Sequence, residues 1–253
     1  MGKTIAITNQ KGGVGKTTTA VNLSSWLSLL GQKVLLIDID PQGNASSGVG
    51  INKNELEFCI YDVLINGKKI DEIKKRTVVE GLNILPSTVD LAGAEIEMVS
   101  MNKRELILKK AINEVKEDYN YIIIDCPPSL GLLTLNALSA ADSVLITIQC
   151  EYYALEGLGQ LMNTVKLVQQ HLNTQLSLEG VLLTMFDGRT NLSIQVVDEV
   201  KKYFKNKVYR NIIPRNVRLS EAPSHGKPVM LYDPRSRGAE VYQELAKEVL
   251  GID

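Results

Sequence analysis

The sequence predicts an α/β fold in which a mostly parallel, twisted sheet is flanked by helices on both faces. Three observations carry that expectation. Strand-like and helix-like stretches alternate along the chain, as they do when crossover connections join parallel strands. Several strand-like stretches are continuous apolar runs, among them Val34-Leu35-Leu36-Ile37 and Ile122-Ile123-Ile124, which suits strands buried on both faces. Between the first strand and the first helix lies a glycine-rich run, Gln10-Lys11-Gly12-Gly13-Val14-Gly15-Lys16-Thr17-Thr18.

In chain order, a short apolar strand at 3–8 leads through that run into an amphipathic helix at 16–30, where Trp26 is expected in the core. A strand at 33–39 runs up to two acids, Asp38 and Asp40. A helix at 56–65, a strand at 82–85 and helices at 90–99 and 103–117 follow. The apolar strand 120–125 ends on Asp125 and turns through Pro127-Pro128 into a helix at 130–139. The rest alternates: strands at 143–148, 179–185 and 207–213, helices at 154–172, 190–205 and 237–250. No repeat, low-complexity tract or linker interrupts this order, so one domain over 1–253 is expected.

Length and composition fit that scheme. A chain of 253 residues with 44% hydrophobic and 23% charged residues supports a large core. Cys59, Cys126 and Cys150 have no metal-like spacing and no paired framework, which suits a reducing cytoplasm. No apolar run approaches the roughly 20 residues that span a bilayer, no signal peptide is visible, and Ala6 stands where a myristoylation signal wants Ser or Thr. The net charge of −1 predicts no polyanionic partner by itself. Its distribution is uneven: residues 188–237 carry eleven basic and four acidic side chains, a net +7.

The glycine-rich run points to polyphosphate binding. Glycines let successive N–H groups turn toward one point, and the following helix adds free donors and the positive end of its dipole. In such a nest Lys16 reaches the β- and γ-phosphates and Thr17 ligates Mg²⁺. The usual G-x-x-x-x-G-K-[ST] pattern is met by Gly15, Lys16 and Thr17, but Gln10 replaces its first glycine. Lys11 is not needed to hold one nucleotide. It is either a solvated loop charge or a group that reaches a phosphate held by another subunit.

Other candidates cluster at the carboxyl ends of strands, where ligands of such sheets bind. Asp125 is expected to hold Mg²⁺ through its water shell, against the alternative of capping the Pro127 turn. Asp38 and Asp40 share one strand face. Asp40 either orients the attacking water or merely starts a turn with Pro41, and Asp38 is read as a Mg²⁺-side group. Ser129, His171 and His225 suggest no catalytic arrangement and are read as loop or surface residues.

These residues resemble a known group. Lys11-Gly12-Gly13-Val14-Gly15-Lys16-Thr17 is similar to the deviant Walker A box of the ParA/MinD group of P-loop ATPases. Asp38-Ile39-Asp40-Pro41-Gln42-Gly43-Asn44, Asp125-Cys126-Pro127-Pro128-Ser129, the block 150–157 and the block Pro214 to Ala222 resemble its chromosomal ParA branch. The resemblance implies slow Mg²⁺-dependent ATP hydrolysis in a sandwich homodimer, with Lys11 of each subunit at the nucleotide of the other. It implies that Pro214 and Asn216 lie against adenine and that Glu151 approaches the ribose. It also implies nonspecific double-stranded DNA binding on the nucleoid, a ParB-type centromere-binding partner that stimulates hydrolysis, and, in some bacteria, links to sporulation or replication initiation.

Charge agrees with the DNA expectation. Arg189, Lys201, Lys202 and Lys205 lie on or just before one predicted helix, with Lys201 and Lys205 one turn apart, and Arg218 and Lys227 follow. The alternative is a solvated helix face on which Asp198 pairs with Lys202. A MinD-like membrane-bound division ATPase would want a basic amphipathic C-terminal helix, but the last helix carries Glu240, Glu244 and Glu248. No membrane partner is therefore expected. An iron protein would need a different cysteine spacing, and a small metabolic ligase would want a substrate pocket in place of the basic segment.

Overall fold

A computed structural model describes residues 2–151 and 158–252. Strand β1 (Lys3–Thr8) leads to α1 (Lys16–Leu29) and β2 (Val34–Asp38). Short helices α2 (Asn44–Gly48), α3 (Ile60–Leu64) and α4 (Ile70–Ile73) precede β3 (Lys75–Arg76) and β4 (Leu82–Leu85). Next come α5 (Leu91–Glu97), α6 (Ile107–Val115), β5 (Tyr121–Asp125), α7 (Leu132–Ala140) and β6 (Ser143–Gln149). The described chain ends with α8 (Leu158–His171), β7 (Ser177–Thr184), α9 (Asn191–Phe204), α10 (Val217–Glu221), α11 (Val229–Tyr232) and α12 (Arg237–Leu250).

The seven strands form one sheet in the order β3-β4-β2-β5-β1-β6-β7. All pairings are parallel except that of β3 with β4. Alternate residues of β2 feed two apolar clusters: Leu35 and Ile37 join α3, α5, α6 and α7 on one face, Val34 and Leu36 join α1 and α12 on the other. Strands buried on both faces cannot alternate polar and apolar residues, which is why the central ones read as unbroken apolar runs. Trp26 is half-buried against the second cluster.

Several boundaries depart from the sequence reading. The segment 207–213 is not a strand of the sheet. Tyr209 N–H and Ile213 N–H donate to Val181 and Leu183 carbonyls of β7 at 3.0 and 2.9 Å. Between them, Arg210 N–H and Asn211 N–H turn instead to the Glu248 carboxylate at 2.8 and 3.3 Å, so no continuous ladder forms. The helix read over 56–65 starts only at Ile60, where the Asp62 carboxylate accepts Cys59 N–H at 2.9 Å. The helix read over 154–172 is described from Leu158 onward; its first residues lie outside the described ones. Strand β3 and the short helices α2, α4, α10 and α11 carry too few residues to show a period.

Candidate nucleotide-binding site

The loop after β1 is tied down at both ends. Asn9 Nδ2 donates to the Thr147 carbonyl of β6 at 2.6 Å, and its Oδ1 accepts Lys11 N–H at 2.9 Å, an Asx turn. Farther on, Thr184 Oγ1 at the end of β7 donates to the Val14 carbonyl at 3.0 Å. Gly13 and Gly15 have φ of +73° and +83°, a region that glycine occupies without steric cost. Lys16 opens α1 and is only 6% exposed. Its Nζ donates to the Lys11 carbonyl at 3.0 Å. Burial lowers its pKa, opposed by the nearby Asp125, Cys126 and Asp40. A buried ammonium held by one neutral carbonyl is poised for an anionic partner.

Two acids meet across the sheet, for Asp38 at the end of β2 is in register with Asp125 at the end of β5, and both are fully buried. Their surroundings differ. Asp38 Oδ1 accepts Asp40 N–H at 3.2 Å, while its Oδ2 accepts Ser46 N–H and Ser46 Oγ–H, each at 2.8 Å. Burial raises its pKa to about 6 against those bonds. Asp38 thus shapes the loop between β2 and α2. Both oxygens of Asp125 are buried without a hydrogen-bond partner among the described residues. Burial, then Asp38, push its pKa well above the usual carboxylate range; the Thr17 hydroxyl and Lys16 act the other way, although Thr17 lies outside hydrogen-bond geometry.

An orphaned buried carboxylate beside a helix-opening Thr and Lys fits Mg²⁺, which takes one or two protein oxygens and completes its shell with water and phosphate. No cluster of three or more His, Cys, Asp or Glu suited to a metal occurs among the described residues. Asp40 is 8% exposed; its Oδ1 accepts Gln42 N–H and its carbonyl accepts Gly43 N–H, both at 2.9 Å. It therefore makes the turn, and it does so within electrostatic reach of Lys16.

Beside the loop opens a cleft of about 420 Å³ whose walls include Gly15, Thr18, Met185, Pro214, Asn216 and Tyr242. Residues two hundred positions apart thus meet at one cavity. Asn216 Oδ1 accepts Arg218 N–H at 2.9 Å and caps α10. Met185 has φ +54°, an uncommon conformation for a residue with a side chain. Glu151 pairs with Arg215 of this cleft at 3.1 Å, with both side chains well exposed, so it stands at the rim. Residues 152–157 of its block lie outside the described residues.

The basic candidates fall at both ends of α9 and in the segment after it, with Lys201, Lys202 and Lys205 together at its C-terminal end. Arg189 precedes α9 and Lys205 follows it, and a helix of 14 residues separates them by about 20 Å. Arg189 is held in a fork by Asp187 at 2.8 and 2.6 Å, which pulls that carboxyl down to about 2. Arg218 faces Glu221 and Asp233 at 2.8 and 3.1 Å. Lys201, Lys202, Lys205 and Lys227 are exposed and make no ion pair among the described residues; Asp198 and Lys202 do not meet. Asn9, Ser46 and Thr184 escaped the sequence reading. Only Asn9, two residues before Lys11, had a visible signal, the Asx-turn spacing.

Strand, glycine loop, helix-opening lysine and strand-end carboxylates define a P-loop nucleoside triphosphatase. Comparisons narrow the class. Residues 2–178 match the family model described as an AAA domain. The chain is 68% identical over 249 residues to the sporulation initiation inhibitor protein Soj of Bacillus subtilis, covering 98% of each. It is 55% identical to the chromosome partitioning protein ParA of Myxococcus xanthus, over 100% of this chain and 89% of that one. Among solved structures, cobyrinic acid a,c-diamide synthase from Mycobacterium smegmatis with bound ATP analog and magnesium superposes with a TM-score of 0.87 at 38% identity, covering 99% and 95%. The chain belongs to the ParA/Soj family of chromosome-partitioning P-loop ATPases.

Proposed function

We propose that this ATPase works as a switch that dimerises on ATP, binds DNA nonspecifically as the dimer, and lets go when a ParB-type partner stimulates hydrolysis. The observation that carries the dimer is Lys11. Its ammonium makes no hydrogen bond or ion pair among the described residues, and Lys16 already supplies the cation that one set of phosphates needs. A second lysine at the mouth of the loop is therefore available to a nucleotide on another copy.

In this reading Lys16 holds the β- and γ-phosphates, Thr17 and Asp125 hold Mg²⁺ with Asp38 alongside, and Thr18 supports the α-phosphate. The loop donors at Gly12, Gly13, Val14 and Gly15 cradle the chain of phosphates. Pro214 and Asn216 flank the base, Glu151 stands near the ribose, and Asp40 orients the attacking water from its turn. Mg²⁺, when bound, neutralises charge on the phosphates during transfer. Lys201, Lys202, Lys205 and Lys227 are the ready contacts to DNA phosphate; Arg189 and Arg218 must first leave their carboxylates.

The protein would act in the cytoplasm on the nucleoid. No helix among the described residues is long and apolar enough to cross a membrane, and the three glutamates of α12 do not suit an anionic bilayer surface. A role in sporulation or replication control is open to the same switch. Co-sedimentation with DNA across a salt series tests the reading. Retention is expected with ATP and not ADP, with a steep loss as salt rises. Equal retention with both nucleotides would refute the switch.

A further inference from the structure

The backbone of Lys11 is gripped on both sides. Its N–H is held by Asn9 Oδ1 at 2.9 Å, and Asn9, itself 8% exposed, is anchored to β6 through the Thr147 carbonyl at 2.6 Å. Its C=O is held by Lys16 Nζ at 3.0 Å. Gln10, between Asn9 and Lys11, ties its side chain to Gln160 of α8 at 2.8 Å. Past Lys11 the loop has open space among the described residues: apart from the adjoining residues, none of them lies within 4 Å of a Cβ built on Gly12 or Gly13. Lys11 is thus the last anchored residue before an open crest. One of its two backbone bonds is made by the group that a phosphate would claim.

We propose that Asn9 is the positioning residue for Lys11, fixing its N–H to β6 so that the side chain is presented to a second copy, while the Lys16 bond to its carbonyl holds the crest back until nucleotide phosphates draw Lys16 away. This rests on the dimer proposed above. A charge-assisted contact to phosphate outcompetes one to a neutral carbonyl, so nucleotide binding releases the carbonyl side of Lys11. The Asn9 side is untouched by the nucleotide and keeps the residue oriented. An oriented lysine loses less freedom when the interface forms, which favours the dimer without adding a contact.

The test sizes wild type, Asn9→Ala, Asn9→Ser, Lys11→Ala and the Asn9→Ala/Lys11→Ala double variant with a non-hydrolysable ATP analogue, beside analogue affinity measured on dilute monomer. Asn9→Ala should weaken the dimer by about tenfold while analogue affinity changes by less than about threefold. Asn9→Ser, whose hydroxyl can still accept Lys11 N–H, should recover part of the loss. In the Lys11→Ala background, Asn9→Ala should cost nothing further, because a group acting through Lys11 has nothing left to orient. A wild-type-like dimer for Asn9→Ala, an equal fall in analogue affinity, or full additivity with Lys11→Ala would each overturn the assignment while leaving the dimer standing. A wild-type monomer would remove both.

Discussion

At the end of the site proposed for the phosphates, charged groups from the ends of three parallel strands converge in near-complete burial: Lys16 after β1, Asp38 on β2 and Asp125 on β5. At the end proposed for the base, a cleft of about 420 Å³ lies between the segment after β7, the loop residue Gly15, Thr18 of α1 and Tyr242 of α12, and its charges, Arg215 and its partner Glu151, stand at an exposed rim. Buried charges make their mutual placement expensive to disturb, whereas exposed pairs are worth little. The phosphate end should therefore set affinity and chemistry, and the base end should adjust them.

The sharpest way to break this contrast is Lys16→Ala. It leaves the carboxylates unopposed and takes the cation from the phosphates, so ATP affinity should fall about a thousandfold, on the order of 4 kcal/mol by calorimetry. Retained affinity would remove Lys16 from its place. Asp40→Ala comes next: turnover should drop roughly a hundredfold while ATP affinity stays within a few-fold, leaving the protein on DNA. Near-normal hydrolysis would reduce Asp40 to its turn.

The third variant reads the buried charge directly. Because burial raises the Asp125 pKa, the native state binds this proton more readily than the unfolded chain. The carboxylate therefore costs stability above the raised value, and the cost fades as pH falls toward 3.8. Asp125→Asn should accordingly raise the Tm at pH 7.5 by several degrees without Mg²⁺, with the gain gone near pH 4. A lower Tm at pH 7.5 would mean that the carboxylate is not an unpaired charge. At the base end, Asn216→Ala should weaken ATP only about threefold to tenfold, part of it through the lost cap of α10. Glu151→Ala should change affinity by less than about twofold.

The same contrast explains what could be read from the sequence. The parallel α/β class and the phosphate loop are local: apolar runs and a nine-residue motif state them outright. Asp125 was legible because an acid closing a fully apolar strand needs a reason to be there. The loss of the 207–213 strand was not legible, since it depends on Glu248, far along the chain, taking two backbone donors. That Pro214 and Asn216 stand beside the loop was implied by family resemblance alone, because nothing local brings Thr18 to Asn216. The arginines divide the same way: Asp187 beside Arg189 and Glu221 beside Arg218 are sequence neighbours, whereas Asp233 beside Arg218 is visible only in three dimensions. Asn9 shows in the sequence only as an Asx-turn spacing, because its hydrogen bond is made to the backbone of Lys11, two residues on.

The central claim is that ATP closes two copies over their nucleotides with Lys11 crossing between them. Sedimentation of wild type and Lys11→Ala, each with ADP and with a non-hydrolysable ATP analogue, tests it most directly. The account predicts a dimer for wild type with the analogue and monomers in the other three samples. A wild-type monomer with the analogue bound, or a Lys11→Ala dimer as tight as wild type, would contradict it.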